Sequence, residues 1–139
     1  MIGDEKMRIL VVEDDSGKRD RLIRIFGKNQ ITDFCIEKFV DNAIERAMSE
    51  KFDLLITDIG LPKCANERMI KPGKPGFEMM LRLVEQNIRI PTIIYSIIFL
   101  SENEKNILEE KKYPLLSEVS DYVVVEQIIK YLLERKESG

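Results

Sequence analysis

Acidic residues follow two of the short apolar runs in this 139-residue chain. Glu13, Asp14 and Asp15 come directly after one run, Asp58 comes directly after another, and Ser96 follows a third. Carboxylates that lie close together raise one another's pKa unless a cation is among them. Mg²⁺ binds such carboxylates while keeping water ligands, which leaves room for an incoming phosphoryl group. If the fold brings these residues together, they predict a magnesium site with a hydroxyl beside it.

The composition excludes several other kinds of chemistry. The chain has no His, which removes Ser-His-Asp and Cys-His mechanisms and His-ligated zinc. Its two cysteines, Cys35 and Cys64, cannot form a metal site by themselves and indicate a reducing compartment rather than a disulfide framework. A net charge of −3 disfavours nucleic-acid binding. We therefore expect chemistry that uses carboxylates, hydroxyls and lysines.

The location of the protein is predicted from what its sequence lacks. The longest apolar run, Ile93 to Leu100, is interrupted by Ser96 and is too short to span a membrane. The first residues do not resemble a signal peptide. We therefore expect a cytoplasmic protein without membrane association.

Apolar runs of four to six residues alternate with segments of helical periodicity along the whole chain. The predicted strands are Arg8–Val12, Asp33–Lys38, Leu54–Thr57, Thr92–Tyr95 and Tyr122–Val125. Strands that alternate with helices indicate a parallel sheet covered on both faces. The carboxyl ends of such strands share one edge, where ligands bind. The acidic residues above, together with Glu126 after the last predicted strand, are therefore expected to converge there.

The ordered set of motifs resembles the receiver domain of bacterial two-component response regulators. The matching stretches are Arg8–Asp15 with Arg19 and Leu22, Phe52–Pro62, Pro75–Glu78, Ile90–Ser96 and Asp121–Val124. The resemblance covers nearly the whole chain. It implies a flavodoxin-like, doubly wound α/β fold with a five-stranded parallel sheet in the order 2-1-3-4-5. It also implies a domain that accepts a phosphoryl group from a sensor kinase.

The resemblance also implies a role for individual residues. Asp58 matches the phosphoacceptor, and Glu13 and Asp14 match the acidic pair that holds Mg²⁺ with it. Gly60 matches the position whose backbone carbonyl also binds the ion. Ser96 matches the hydroxyl that hydrogen-bonds the phosphoryl group.

The sequence departs from the family pattern in three places. The family has a Lys at the end of strand five, and the predicted fifth strand puts Val125 there. Ile97 follows Ser96 where the family prefers a small residue, and its bulk is expected to restrict access to Asp58. An insert spans residues 63–75 and carries four basic residues against one acidic residue. One hypothesis is that a Lys or Arg side chain of this insert leans over the acidic pocket and replaces the lost Lys; the candidates are Lys63, Arg68, Lys71 and Lys74. The alternative is that the insert is only a mobile surface loop.

The preferred interpretation is a single receiver-like domain over residues 1–139, with a core of about 7–134. It would signal by protein contact rather than act as an enzyme. Its expected partners are a sensor histidine kinase or phosphotransfer protein, an output protein, and a second copy bound through the face of the fourth helix, fifth strand and fifth helix. The alternative is a degenerate pseudo-receiver that binds proteins independently of phosphorylation. A third reading is a Mg²⁺-dependent phosphatase-like enzyme on the same fold.

Overall fold

The computed structural model describes residues 7–61 and 73–138, which form ten secondary-structure elements. The strands are β1 (Ile9–Val12), β2 (Phe34–Glu37), β3 (Leu54–Thr57), β4 (Thr92–Tyr95) and β5 (Leu115–Val119). The helices are α1 (Ser16–Lys28), α2 (Val40–Ser49), α3 (Pro75–Glu85), α4 (Glu102–Glu110) and α5 (Tyr122–Ser138). Within these residues, no helix is long and apolar enough to cross a membrane.

All five strands are parallel and lie in the order β2-β1-β3-β4-β5. This confirms the predicted doubly wound, flavodoxin-like α/β fold. The chain reverses its direction of winding between β1 and β3, and α/β sheets of this kind bind their ligands at that reversal.

The three central strands are short and every one of their residues is buried. Successive side chains of a strand point to opposite faces of the sheet. Ile9 and Val11 therefore pack with the apolar side of α1 and with Ile129 of α5, whereas Leu10 and Val12 pack with α2 and α3. Helices therefore cover both faces of the sheet. A ligand can reach it at the carboxyl ends of its strands.

The predicted fifth strand is wrong. The structure places β5 at Leu115–Val119, where Val119 pairs with Tyr95 of β4, and Tyr122 begins α5 instead. The Asp121 side chain caps this helix by accepting the Val123 N–H at 2.8 Å. Val125 is fully buried in the helix rather than at a strand end. A short apolar run can form either a strand or a buried turn of a helix. Here the Asp121 cap favours the helix.

Two further expectations change with this correction. Val125 does not stand at the family's Lys position, because Ser120 and Asp121 are the residues that follow β5. Glu126 does not join the acidic edge: its carboxylate contacts Lys28, the last residue of α1, at 3.5 Å and the C-cap residue Asn29 at 3.1 Å.

Candidate functional site

The sheet register sets the position of the acidic residues. The Glu13 N–H donates to the Glu37 carbonyl at 2.9 Å, and the Asp58 N–H donates to the Val12 carbonyl at 3.1 Å. Both residues therefore continue the ladder of the sheet one step beyond their strands. Their side chains start from fixed backbone at the carboxyl edge.

Glu13, Asp14 and Asp58 are brought together as the sequence predicts. Each offers a carboxylate oxygen, and these oxygens lie within 4.8 Å of one another. Glu13 is buried, the Asp58 side chain is 17% exposed, and Asp14 is exposed. The site is therefore closed at its base and open to solvent on the side of Asp14.

The Asp58 carboxylate is held by both of its oxygens. Its Oδ1 accepts the Ile59 N–H at 2.6 Å and the Gly60 N–H at 3.4 Å, while its Oδ2 accepts a hydrogen bond from the Lys18 ammonium at 2.9 Å. These contacts fix the orientation of the carboxylate relative to the pocket. Gly60 itself lies half-buried in the loop that follows Asp58.

Gly76, at the start of α3, allows this loop to pack against the helix. A Cβ atom at Gly76 would lie 2.3 Å from the Asp58 carbonyl oxygen and 2.8 Å from the Ile59 Cα atom. The Gly76 N–H also donates to the Ile59 carbonyl at 2.8 Å. The loop that carries Asp58 therefore needs a residue without a side chain at this position.

Lys18, in the first turn of α1, is a site residue that the sequence analysis missed. Its Nζ lies 2.9 Å from Glu13 Oε1, 2.9 Å from Asp58 Oδ2 and 2.8 Å from the Tyr95 carbonyl oxygen. It also lies 4.6 Å from the centre of the Tyr95 ring. A signal was present in the sequence, because a cation in the first turn of a helix opposes the helix dipole and needs a compensating partner. The acidic strand end immediately before α1 supplies that partner.

Burial and hydrogen bonds change the pKa values of Glu13 and Lys18. Burial raises the pKa of Glu13 to about 7, an effect that the Lys18 hydrogen bond offsets only in part and the nearby Asp58 carboxylate increases. Burial lowers the pKa of Lys18, but hydrogen bonds to Glu13 and Asp58 outweigh it, so the net pKa is raised. The ammonium is therefore charged at neutral pH.

Ser96 directly follows β4 at the same edge and is buried. Its N–H donates to the Val119 carbonyl at 2.9 Å, and its Oγ accepts the Ile98 N–H at 2.9 Å. Because the hydroxyl acts as an acceptor here, its own O–H proton can be donated to another group.

Ile97 does not pack into the pocket, contrary to expectation, because it is 88% exposed. The neighbouring Ile98 lies over the Asp58 loop instead: its Cδ1 would be 3.2 Å from a Cβ at Gly60.

The basic insert does not supply a pocket cation through Lys74. The Lys74 ammonium donates to the Phe99 carbonyl at 2.9 Å and lies 2.7 Å from a Glu104 carboxylate oxygen, at the start of α4. That part of the hypothesis is wrong. Residues 62–72 lie outside the described residues, among them Pro62, Lys63, Cys64, Arg68 and Lys71.

The donor set fits a hard divalent cation. Carboxylate and carbonyl oxygens are the ligands that Mg²⁺ prefers, and Glu13, Asp14 and Asp58 supply three carboxylates at one point. With all three ionised, the Lys18 ammonium leaves a net charge of −2, which one divalent ion balances.

Solved structures of receiver domains are similar to this chain over nearly its whole length. A CheY-like response regulator receiver domain protein from Methanospirillum hungatei JF-1 has a TM-score of 0.69 at 17% identity, covering 96% of this chain and 98% of its own. The HemR receiver domain from Leptospira biflexa has a TM-score of 0.66 at 23% identity, covering 96% of both chains. The BeF3-activated N-terminal receiver domain of RstA from Klebsiella pneumoniae has a TM-score of 0.62 at 21% identity, covering 89% of this chain and 96% of its own.

Comparisons of sequence alone find no such relationship. No protein-family model matches the chain, and no curated protein matches it. The likeness is therefore one of fold.

Proposed function

Because the chain has the fold of response-regulator receiver domains, we propose that it is a Mg²⁺-dependent phosphoacceptor that takes a phosphoryl group on Asp58. The observation that carries this proposal is the convergence of Glu13, Asp14 and Asp58 within 4.8 Å at the carboxyl edge of the sheet. We also propose that residues 1–139 act as one domain in the cytoplasm, as a signalling domain rather than an enzyme.

The proposed reaction is a nucleophilic displacement at phosphorus. A carboxylate oxygen of Asp58 forms a bond to the phosphorus of a phosphohistidine on a sensor kinase or phosphotransfer protein. The P–N bond breaks, its electron pair stays on the imidazole, and the imidazole takes up a proton. The product on this chain is an acyl phosphate.

The residues around Asp58 have distinct tasks in this proposal. Glu13, Asp14, Asp58 and the Gly60 carbonyl would hold Mg²⁺, which when bound supplies charge neutralisation at the phosphoryl oxygens. The Ile59 N–H orients the attacking carboxylate. Ser96 donates its O–H to a phosphoryl oxygen.

The signal would leave through the face formed by α4, β5 and α5. Glu118 of β5 accepts the Leu100 N–H at 2.8 Å and contacts Lys105 of α4 at 2.9 Å, which joins β5 to the segment after Ser96. This face and the segment before it expose large apolar side chains: Ile97, Phe99, Leu116, Tyr122 and Val123. An output protein, or a second copy of the chain, is the proposed partner there.

The test is incubation with Mg²⁺ and acetyl phosphate, followed by intact-mass measurement. We expect a gain of one phosphoryl group that is lost in Asp58→Asn. Asp20→Asn makes the same chemical change at an exposed position of α1 and should leave the gain intact. A wild-type protein that gains no mass at saturating Mg²⁺ would contradict the proposal.

Two observations favour the second candidate, a pseudo-receiver that binds proteins without phosphorylation. Lys18 already pairs with Glu13 and Asp58, and the residues that follow β5, Ser120 and Asp121, include no Lys. Partner binding that is the same in the wild type and in Asp58→Asn would support it. The third candidate, a phosphatase-like enzyme, predicts steady release of phosphate from acetyl phosphate without accumulation on the chain.

A further inference from the structure

The end of β5 lacks the cation that the receiver resemblance implies for binding a phosphoryl group. Val119 is the last residue of the strand, and Ser120 and Asp121 follow it. None of the three is basic. A phosphoryl group on Asp58 would bring added negative charge into a pocket that already holds Glu13 and Asp14, and a cation from another element would balance this charge together with Mg²⁺.

Lys18 is in the right place to be that cation. Its ammonium has three N–H donors, and three oxygens surround it: Glu13 Oε1, Asp58 Oδ2 and the Tyr95 carbonyl, at 2.8 to 2.9 Å. The side chain is only 18% exposed. Its Nζ therefore contacts one of the two oxygens of Asp58 that could carry the phosphoryl group.

The local structure of α1 holds Lys18 in this position. Asp15 caps the helix by accepting the Lys18 N–H at 2.9 Å, and the Asp15 N–H in turn donates to Glu13 Oε2 at 3.1 Å. The buried Glu13 is thus bound to Asp15 and to Lys18 at once. The arrangement fixes the first turn of α1 against the acidic edge.

We propose that Lys18 binds the phosphoryl group on Asp58, from α1, in place of a lysine at the end of β5. This inference rests on the proposed function of Asp58. When Asp58 becomes an acyl phosphate, the ammonium turns from Oδ2 to a phosphoryl oxygen. Because the same ammonium holds the Tyr95 carbonyl, this movement acts on the end of β4, next to Ser96 and the exposed apolar segment that follows it.

The charges in the pocket indicate that Lys18 and Mg²⁺ are bound together rather than in competition. One ammonium and one divalent ion balance the three carboxylates. Asp14 is exposed and remains open to the ion, because the Lys18 ammonium pairs with Glu13 and Asp58 instead. Removal of the ammonium should therefore leave Mg²⁺ binding intact while it weakens binding of a phosphoryl mimic.

The test compares Lys18→Met with the wild type, by calorimetric titration of Mg²⁺ and then of beryllofluoride in saturating Mg²⁺. A charge-assisted hydrogen bond of this kind corresponds to about tenfold or more in affinity. We expect Lys18→Met to bind beryllofluoride at least about tenfold more weakly, with Mg²⁺ affinity unchanged or higher. Lys28→Met removes an exposed Lys from the same helix and should change neither affinity.

Lys18→Arg keeps the charge and should recover part of the beryllofluoride affinity, which separates the charge from a general effect on folding. Beryllofluoride binding to Lys18→Met at wild-type strength would overturn the inference and leave the function of Asp58 standing. Tighter binding of beryllofluoride to Lys18→Met would also overturn the inference, because Lys18 would then block the phosphoryl site. A wild-type protein that binds no beryllofluoride would instead contradict the proposed function itself.

Discussion

Tyr113 is a buried tyrosine of the core, distant in sequence from the acidic pocket. Its hydroxyl shares a 2.7 Å hydrogen bond with Thr92 Oγ1, at the start of β4. Burial raises the pKa of Tyr113 to about 12, and the Thr92 bond offsets this only in part. The phenol therefore stays protonated in the folded protein at pH values where it ionises in the unfolded chain.

This difference predicts a pH dependence of stability. Because the folded-state pKa is raised, the contribution of Tyr113 is complete below pH 10 and is lost as the pH rises toward 12. Tyr113→Phe cannot ionise at this position, so its free energy of unfolding should fall less steeply than that of the wild type between pH 10 and pH 12. The measurement is urea unfolding at each pH. Equal slopes would contradict the pKa assignment.

The Tyr113→Phe variant should remain well folded, which keeps this comparison clean. Thr92 Oγ1 still donates to the Ile90 carbonyl at 2.7 Å, so no buried partner is left unsatisfied. We expect a loss of only about 1 kcal/mol at neutral pH. Tyr131→Phe, at an exposed position of α5, is the matched control and should reproduce the wild-type slope.

At the same scale, the sequence predicted the acidic residues of the pocket but not its cation. Glu13, Asp14 and Asp58 follow recognisable strands, so the topology alone brings them together. Lys18 reaches the pocket only through the angle of α1 and the Asp15 cap, which depend on packing. The unfavourable position of a cation in the first turn of α1 indicates that Lys18 has an acidic partner, but it does not say which carboxylates the side chain reaches.

The fifth strand and the fifth helix are the elements that the sequence pattern predicts wrongly. The strand Leu115–Val119 contains Ser117 and Glu118, so its apolar pattern is weak, whereas Tyr122–Val125 is rich in β-branched residues. Tertiary packing overrides those propensities, because Val125 and Ile129 are four residues apart and are both fully buried on one side of α5.

The Asp121 cap provides a test of this assignment. Asp121→Ala removes the side chain that accepts the Val123 N–H, and we expect the free energy of unfolding to fall by about 1 kcal/mol. Asp20→Ala, at an exposed position inside α1, should cause no loss. Urea unfolding measures both variants. An Asp121→Ala protein as stable as the wild type would show that the cap does not hold α5.

The contact between α3 and the Asp58 loop provides a second test. Gly76→Ala places a methyl group within 2.3 Å of the Asp58 carbonyl oxygen, and we expect it to lower the free energy of unfolding by at least about 2 kcal/mol. Gly27→Ala is the matched control, because a Cβ at that position of α1 meets nothing within 4 Å. It should raise the stability by up to about 1 kcal/mol. Thermal unfolding would distinguish the two, and a neutral Gly76→Ala would contradict the close packing.

For the whole molecule, the alternation of strands and helices was sufficient to predict the fold class. The central strands are buried on both faces and read as continuous apolar runs, which is typical of parallel sheets. The strand order came from the family resemblance, and the structure confirms it. The details that failed lie at β5, an edge strand whose residues are only partly buried and so carry a weaker pattern.

The central claim is that a phosphoryl group on Asp58 changes the pocket and, through it, the face of α4, β5 and α5. The most direct measurement is the amide NMR spectrum of the wild type and of Asp58→Asn, each with Mg²⁺ before and after beryllofluoride. We predict shifts in the wild type at Ile59 and Gly60, continuing through Ile98 and Leu100 to Glu118, and none in Asp58→Asn. Identical spectra before and after beryllofluoride, or the same shifts in both proteins, would contradict the account.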